Sequence, residues 1–222
     1  RQMTTLNQKS SKMNGSLTSD PDSFSDEAWS LLLIAEQSAR RWRHKYLDVE
    51  HLIEVLFRNK KYQKYTNSLP VNHEALNEIL ENFIAELPIN NQTDLFIGED
   101  LEILLETADD FRSRWGSNQI EISHILIAIG RDSRLGEDLF YQSGLPSEIL
   151  EAELRRLPAP KSFKQSKRIK DKPIINRTQK ELQSFIPTET TSKEPKPELL
   201  NPLSKEEITS KPEPLNLNET PS

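Results

Sequence analysis

The chain has no cysteine among its 222 residues. It therefore has no disulfide framework, no thiolate metal site and no thiol nucleophile. Glycine is scarce, with six residues at positions 15, 98, 116, 130, 136 and 144. None is followed by lysine in a Gly-x-x-x-x-Gly-Lys-Ser/Thr loop, so no backbone cradle for a nucleotide phosphate is present. No paired aspartate behind an apolar strand offers a magnesium site. No Gly-x-Ser-x-Gly elbow supports a hydrolase. Apolar runs never approach 18 residues, which excludes a membrane-spanning helix. The first 20 residues lack the apolar stretch of a secretory signal. Apolar residues make up only 34% of the chain, so not all of it can be packed core.

What is present sorts into three zones. Residues 1–23 are polar and aperiodic, and read as a disordered leader. Residues 24–157 hold nearly all the aromatic and long aliphatic side chains. Residues 158–222 are rich in Pro, Lys, Glu, Ser and Thr and carry ten of the 14 prolines. Such a tail buries too little apolar area to offset its chain entropy and is expected to be disordered. Charge follows the same division. The net charge is −6 overall; the leader is +1 and the tail +3, which leaves the middle zone near −10. An acidic domain repels phosphate backbones, so a nucleic-acid partner is not expected, and neither is a membrane. Residues 161–180 carry eight Lys/Arg against one Asp. They read as a solvated linker, or as a weak dock for the chain's own acidic domain. The stretch 198–208 is a brief candidate docking helix.

The middle zone repeats itself. Residues 24–57 overlay 97–130 at an offset of 73 without a gap. Leu31, Leu32, Ala35, Arg41, Trp42 and His51 fall on Leu104, Leu105, Ala108, Arg114, Trp115 and His124. Two copies of one supersecondary unit, each too small to bury its own face, must pack together. Apolar spacing makes each copy helical. Ser25 is a candidate N-cap before an acidic first turn, and Gly116 a candidate C-cap. Second helices are expected near 48–58 and 121–130, third near 60–67 and 134–143, and fourth near 72–86 and 146–156. The expected fold is all-α: two pseudo-twofold four-helix repeats, 24–90 and 97–157, followed by the tail.

His51 and His124 occupy equivalent places inside apolar helices. They read as structural histidines bonded to a backbone carbonyl or a neighbouring side chain. The four histidines show no H-x-x-x-H spacing, so neither a metal nor any other cofactor is expected. The adjacent acids Asp109 and Asp110 point in different directions on a helix and read as a solvated face. Trp42 and Trp115 end the two first helices and read as packing residues.

The stretches YLDVEHLIEVL (46–56) and QIEISHILIAI (119–129) resemble the acidic-x-x-His-aliphatic signature of the Clp N-terminal repeat. The chain resembles the N domain of Clp chaperone ATPases, most closely the ClpB type, across residues 24–157. LGEDLFYQSGL (135–145) adds to that likeness. The resemblance implies a non-enzymatic protein-binding module, an accessory or adaptor to a Clp chaperone or protease. Its partners would be Clp ATPase or protease subunits, unfolded substrate segments, or both. It would work in the cytoplasm, or in the plastid stroma of a photosynthetic eukaryote. A fragment or relic of a ClpB-like ATPase is the alternative, and an enzyme without a recognisable motif a poorer one. The 65 residues after the domain contain no ATPase start, which favours the stand-alone module. The family's peptide groove, carried across position by position, implies Ser25, Leu105, Thr107, Ser117, Ser123 and His124. In ClpB-type members the positions of Ser117 and Ser123 are acidic and that of Thr107 is aliphatic, so inherited binding is weakened or redirected here. Periodicity alone also allows Leu105 to be plain core.

Overall fold

A computed structural model describes residues 16–156 and 173–175. The chain divides into two units, Arg1–Pro187 and Thr188–Ser222, and the second lies wholly outside the described residues. Eight helices are present among the described residues: α1 (Asp26–Trp42), α2 (Val49–Arg58), α3 (Gln63–Thr66), α4 (His73–Glu86), α5 (Glu99–Arg114), α6 (Ile122–Ile129), α7 (Gly136–Gln142) and α8 (Ser147–Arg156). They form two four-helix units, as the repeat requires.

The capping chemistry is local and legible. The Ser25 side chain accepts from the Ala28 N–H at 3.3 Å, with Asp26 and Glu27 in the first turn of α1. Asn72 caps α4 through the Ala75 N–H at 3.0 Å. Each cap satisfies an orphan donor, and the acids meet the positive end of the helix. The first helices end alike. Arg43 closes α1 at φ 59°, and Gly116 takes the matching place after α5 at φ 71°. Both reverse the chain in the left-handed region.

The two repeats are stitched by a reciprocal pair of short β contacts, which helical periodicity does not foretell. Strand β1 (Tyr46–Leu47) runs parallel to β2 (Phe96–Ile97), with Leu47 opposite Ile97. An isolated parallel bridge joins Phe24 to Ile120. Residues 24 and 97, and 47 and 120, are each 73 apart, so the entry of each repeat pairs with the middle of the other. The hydrogen bonds repeat too: Gly98 N–H to Leu47 O at 2.8 Å, and Ser25 N–H to Ile120 O at 2.9 Å. This exchange gives the pseudo-twofold relation its register.

The core runs through both repeats. Trp29, Phe24, Tyr62 and Phe140 are among its largest buried side chains. The most intimate helix pairs are α1 with α2 and α5 with α6, again equivalent. Burying side chains of this size contributes about 1.5–3 kcal/mol each.

Two expectations about the flanks change. Residues 17–19 and 21–23 of the expected leader form 3-10 turns. Thr18 is buried there, its hydroxyl 2.6 Å from that of Ser16, and the first turn packs on α5. Ser16, Thr18 and Pro21 supply local turn chemistry that a survey for apolar periodicity overlooks. In the expected disordered tail, Ile174 is 1% exposed and belongs to the hydrophobic core, with Ile175 packed against it. The isolated Ile-Ile pair therefore has a place on the domain. The basic stretch 161–180 otherwise lies outside the described residues, as does 198–208. Among the described residues, no helix is long and apolar enough to cross a membrane.

Candidate functional site

The six residues expected in the groove lie around α5, α6 and the start of α1. Thr107 is on the outward side of α5, its hydroxyl bonded to the Ile103 carbonyl at 3.0 Å. Ser117 follows the α5 cap, and its carbonyl accepts from Arg112 Nη1 at 3.0 Å. Ser123 lies in the first turn of α6, and Ser25 is held nearby by the bridge to Ile120. These four are partly exposed. Leu105 is 0% exposed and His124 is 1% exposed. In this conformation both lie beneath the surface rather than on it. Leu105 has the core place that its periodicity allowed.

The histidines have a sharper role than expected. Nδ1 of His51 accepts the Asp48 N–H at 3.0 Å, and Nδ1 of His124 accepts the Glu121 N–H at 2.9 Å. Each is the third residue of its helix reaching back to the N-cap, the place Glu or Gln usually takes in a capping box. The main-chain partner is thus a backbone N–H rather than a carbonyl, and His51 also has the expected neighbouring side chain, His44. Nδ1 must be unprotonated to accept, so each ring is neutral with its proton on Nε2. Burial pushes the His51 pKa down to about 3, helped by the nearby His44. Burial pushes His124 to about 4, with Arg112 adding to it.

His44, Glu50 and His51 are a group that could hold a metal ion by proximity. Their atoms are otherwise engaged. His51 Nε2 lies 2.8 Å from His44 Nδ1, and His44 also has a backbone hydrogen bond at Ile84. Glu50 binds Arg134. The donors thus run as one chain: Asp48 N–H to His51, His51 to His44, His44 to Ile84. A metal would have to displace the central bond.

A second charge centre ties the repeats together. Arg134 binds Glu50, lies 2.8 Å from Asp100 through Nε, and lies 3.7 Å from Asp48. Asp48 is pushed up to about 6 by burial and by Glu50, against the pull of Arg134.

The tryptophans also differ between repeats. Trp42 Nε1 donates to Glu54 at 3.2 Å, whereas Trp115 Nε1 is buried without a hydrogen-bond partner among the described residues. The reason is the residue 73 places on from Glu54, which is Ile127. Trp115 instead packs on His124 at 5.2 Å, under the Arg155 guanidinium.

A tandem, pseudo-twofold helical domain with His-capped second helices defines the class of fold. The Clp repeat (R) N-terminal domain family matches residues 23–141, and the chain belongs to that family. Chaperone protein ClpB 2 of Parasynechococcus marenigrum (strain WH8102) is 49% identical over 142 residues, which are 64% of this chain and 16% of that protein. Chloroplastic ClpB2 of Oryza sativa subsp. japonica is 26% identical over 140 residues, 61% of this chain and 14% of that protein. The chain therefore spans about a sixth of the length of these relatives. Among solved structures, the Hsp104 N-terminal domain of Candida albicans superposes with a TM-score of 0.55 at 15% identity. It covers 66% of this chain and 98% of its own. That likeness is one of fold.

Proposed function

We propose that this chain is a non-enzymatic protein-binding module, an accessory or adaptor to a Clp chaperone or protease, which engages substrate segments or Clp subunits. Its Clp N fold, complete in both repeats and joined by the reciprocal β contacts, carries the reading. The binding surface is the second-repeat groove, with Ser25, Thr107, Ser117 and Ser123 at the surface and Leu105 and His124 beneath. Thr107 and the two serines make this groove more neutral than a carboxylate-lined one, so it favours uncharged extended segments over basic ones.

The test is an affinity capture from native lysate with the full chain and with Thr107→Glu. Recovery of Clp ATPase or protease subunits or their substrates by the full chain, and loss with the variant, supports the role. Recovery of no Clp component and no unfolded client by either protein refutes it.

The 49% identity to part of a ClpB 2 protein favours one second reading: the N domain of a longer ClpB-like ATPase. An immunoblot of the native cell separates the two. A band near 25.6 kDa supports the module, and one several times larger supports the ATPase.

A further inference from the structure

The two repeats differ at one matched position in a way that leaves a hole in one of them. In the second repeat, Phe111 of α5 is 5% exposed and its ring lies beneath two guanidinium groups, Arg114 at 5.0 Å and Arg131 at 5.9 Å from the centroid. The matching residues of the first repeat, 73 earlier, are Ser38, Arg41 and Arg58. Both arginines are kept and the ring is missing. An open pocket of about 320 Å³ stands there, lined by Ile34, Ser38, Arg41, Glu54, Val55 and Arg58.

The pocket walls are built to last. Glu54 is 4% exposed and accepts from Ser38 Oγ, from Arg41 Nη2 at 3.1 Å and from Trp42 Nε1 at 3.2 Å. Its carboxylate is thus satisfied by the pocket itself. Ile34 at 8% and Val55 at 6% exposure supply apolar sides. At the rim, the Arg41 side chain is 69% exposed and that of Arg58 is 36% exposed. Arg58 already holds Glu81 at 2.7 Å and Asn77 at 3.4 Å and lies 3.7 Å from Glu54, whereas Arg41 spends one of its five N–H donors on Glu54. The rim therefore presents ring-stacking faces and spare donors together.

We propose that this first-repeat pocket receives an aromatic side chain from an acidic segment of a partner polypeptide. The ring takes the place that Phe111 fills in the second repeat, between the two arginines. A flanking carboxylate of the same segment takes the free donors of Arg41, while Arg58 supplies a stacking face. The site is separate from the second-repeat groove, and its failure would leave the groove reading standing.

The test is fluorescence anisotropy of the full chain with a labelled peptide, Asp-Glu-Phe-Glu-Asp, and with two controls. One control has Ala for Phe, and the other has Lys at every acidic position. Binding of the first peptide, weakened at least about tenfold in each control, is expected. Ser38→Phe installs the missing ring and should abolish binding. Arg41→Gln keeps a neutral donor for Glu54 and should weaken binding several-fold, with the variant shown to be folded by circular dichroism at the binding temperature. Equal binding of the Phe and Ala peptides, or undiminished binding to Ser38→Phe and Arg41→Gln, overturns the proposal. No binding to the wild-type chain also overturns it, including the case in which the chain's own tail fills the pocket.

Discussion

The backbone N–H of Asp48 donates to Nδ1 of His51 at 3.0 Å. Glu121 and His124 repeat the bond at 2.9 Å. The matched histidine of each repeat is thus a helix cap, and its removal should be felt as lost stability. His51→Ala orphans a buried N–H and takes away the partner of His44, so a loss of about 1–3 kcal/mol or more is expected. His51→Gln keeps an acceptor at the same helix position and should recover part of it. Urea denaturation of the variants measures both. A His51→Ala midpoint equal to that of the wild type would contradict the capping role.

Acid should destabilise the domain through the same rings. The folded-state pKa values are depressed, to about 3 for His51 and about 4 for His124, against 6.5 unfolded. The unfolded chain therefore binds more protons below pH 6.5, and stability falls as pH drops from about 6.5 toward 4. His44, also lowered by burial, acts in the same direction. Asp48, raised to about 6, acts oppositely: the folded carboxyl takes its proton first, which favours the fold between about pH 6 and 4. The groups facing His51 are His44, Glu50, Glu54 and Arg134, and those facing His124 are Arg112 and Asp109. Glu121, raised by burial, acts with Asp48, and three rings outweigh two carboxyls, so the net slope is downward. Melting temperatures across pH 4–7 should show it, shallower in a His51→Gln, His124→Gln double variant and steeper in Asp48→Asn.

The offset of 73 carried most of the fold in advance, because helix faces and caps are local properties. Ser25 before Asp-Glu, and Gly116 after Trp115, mark helix ends without reference to anything distant. The pairings of Leu47 with Ile97 and of Phe24 with Ile120 were not visible, since two-residue contacts leave no period. The proposed groove rests on resemblance alone. Leu105 shows why: one apolar residue at helical spacing can be core or surface, and only the packed partner decides. The pocket at Ser38 was hidden for a different reason. Its signal is a mismatch, Ser38 against Phe111 and Glu54 against Ile127, and an overlay read for matches passes over it.

Arg43 marks a place where the first repeat can be improved. It closes α1 at φ 59°, where the second repeat uses Gly116 at φ 71°. A side chain in the left-handed region costs about 1–2 kcal/mol, offset here by the bond from Arg43 Nη2 to Asn91 at 3.0 Å, an exposed and weak contact. Arg43→Gly should therefore stabilise by about 0.5–1 kcal/mol after the entropy of glycine is counted. Gly116→Ala, with open space around the added methyl, should destabilise by about 1 kcal/mol from backbone strain alone. Paired thermal melts decide. A loss in both variants would mean that the Asn91 contact outweighs the strain.

Arg134 is where the two repeats depend on each other most. It reaches from the second repeat to Glu50 and Asp48 in the first, and holds Asp100 at the start of α5. Glu50 is 3% exposed, so taking away the guanidinium leaves a buried carboxylate without its cation. Breaking such a pair costs about 3–5 kcal/mol, and the 30% exposure of the Arg134 side chain argues for the lower end. Arg134→Met should therefore destabilise by about 3 kcal/mol. The sharper expectation concerns the double variant. Glu50→Gln removes the stranded charge, so Arg134→Met with Glu50→Gln should be more stable than Arg134→Met alone. Asp48 gives an independent readout, because Arg134, with the Val49 N–H, holds its pKa down. In Arg134→Met the Asp48 carboxyl should titrate above its present value of about 6, a shift that NMR follows directly. A double variant no better than the single one would mean that Arg134 acts by packing, over the Phe83 ring 5.4 Å away, and not by charge.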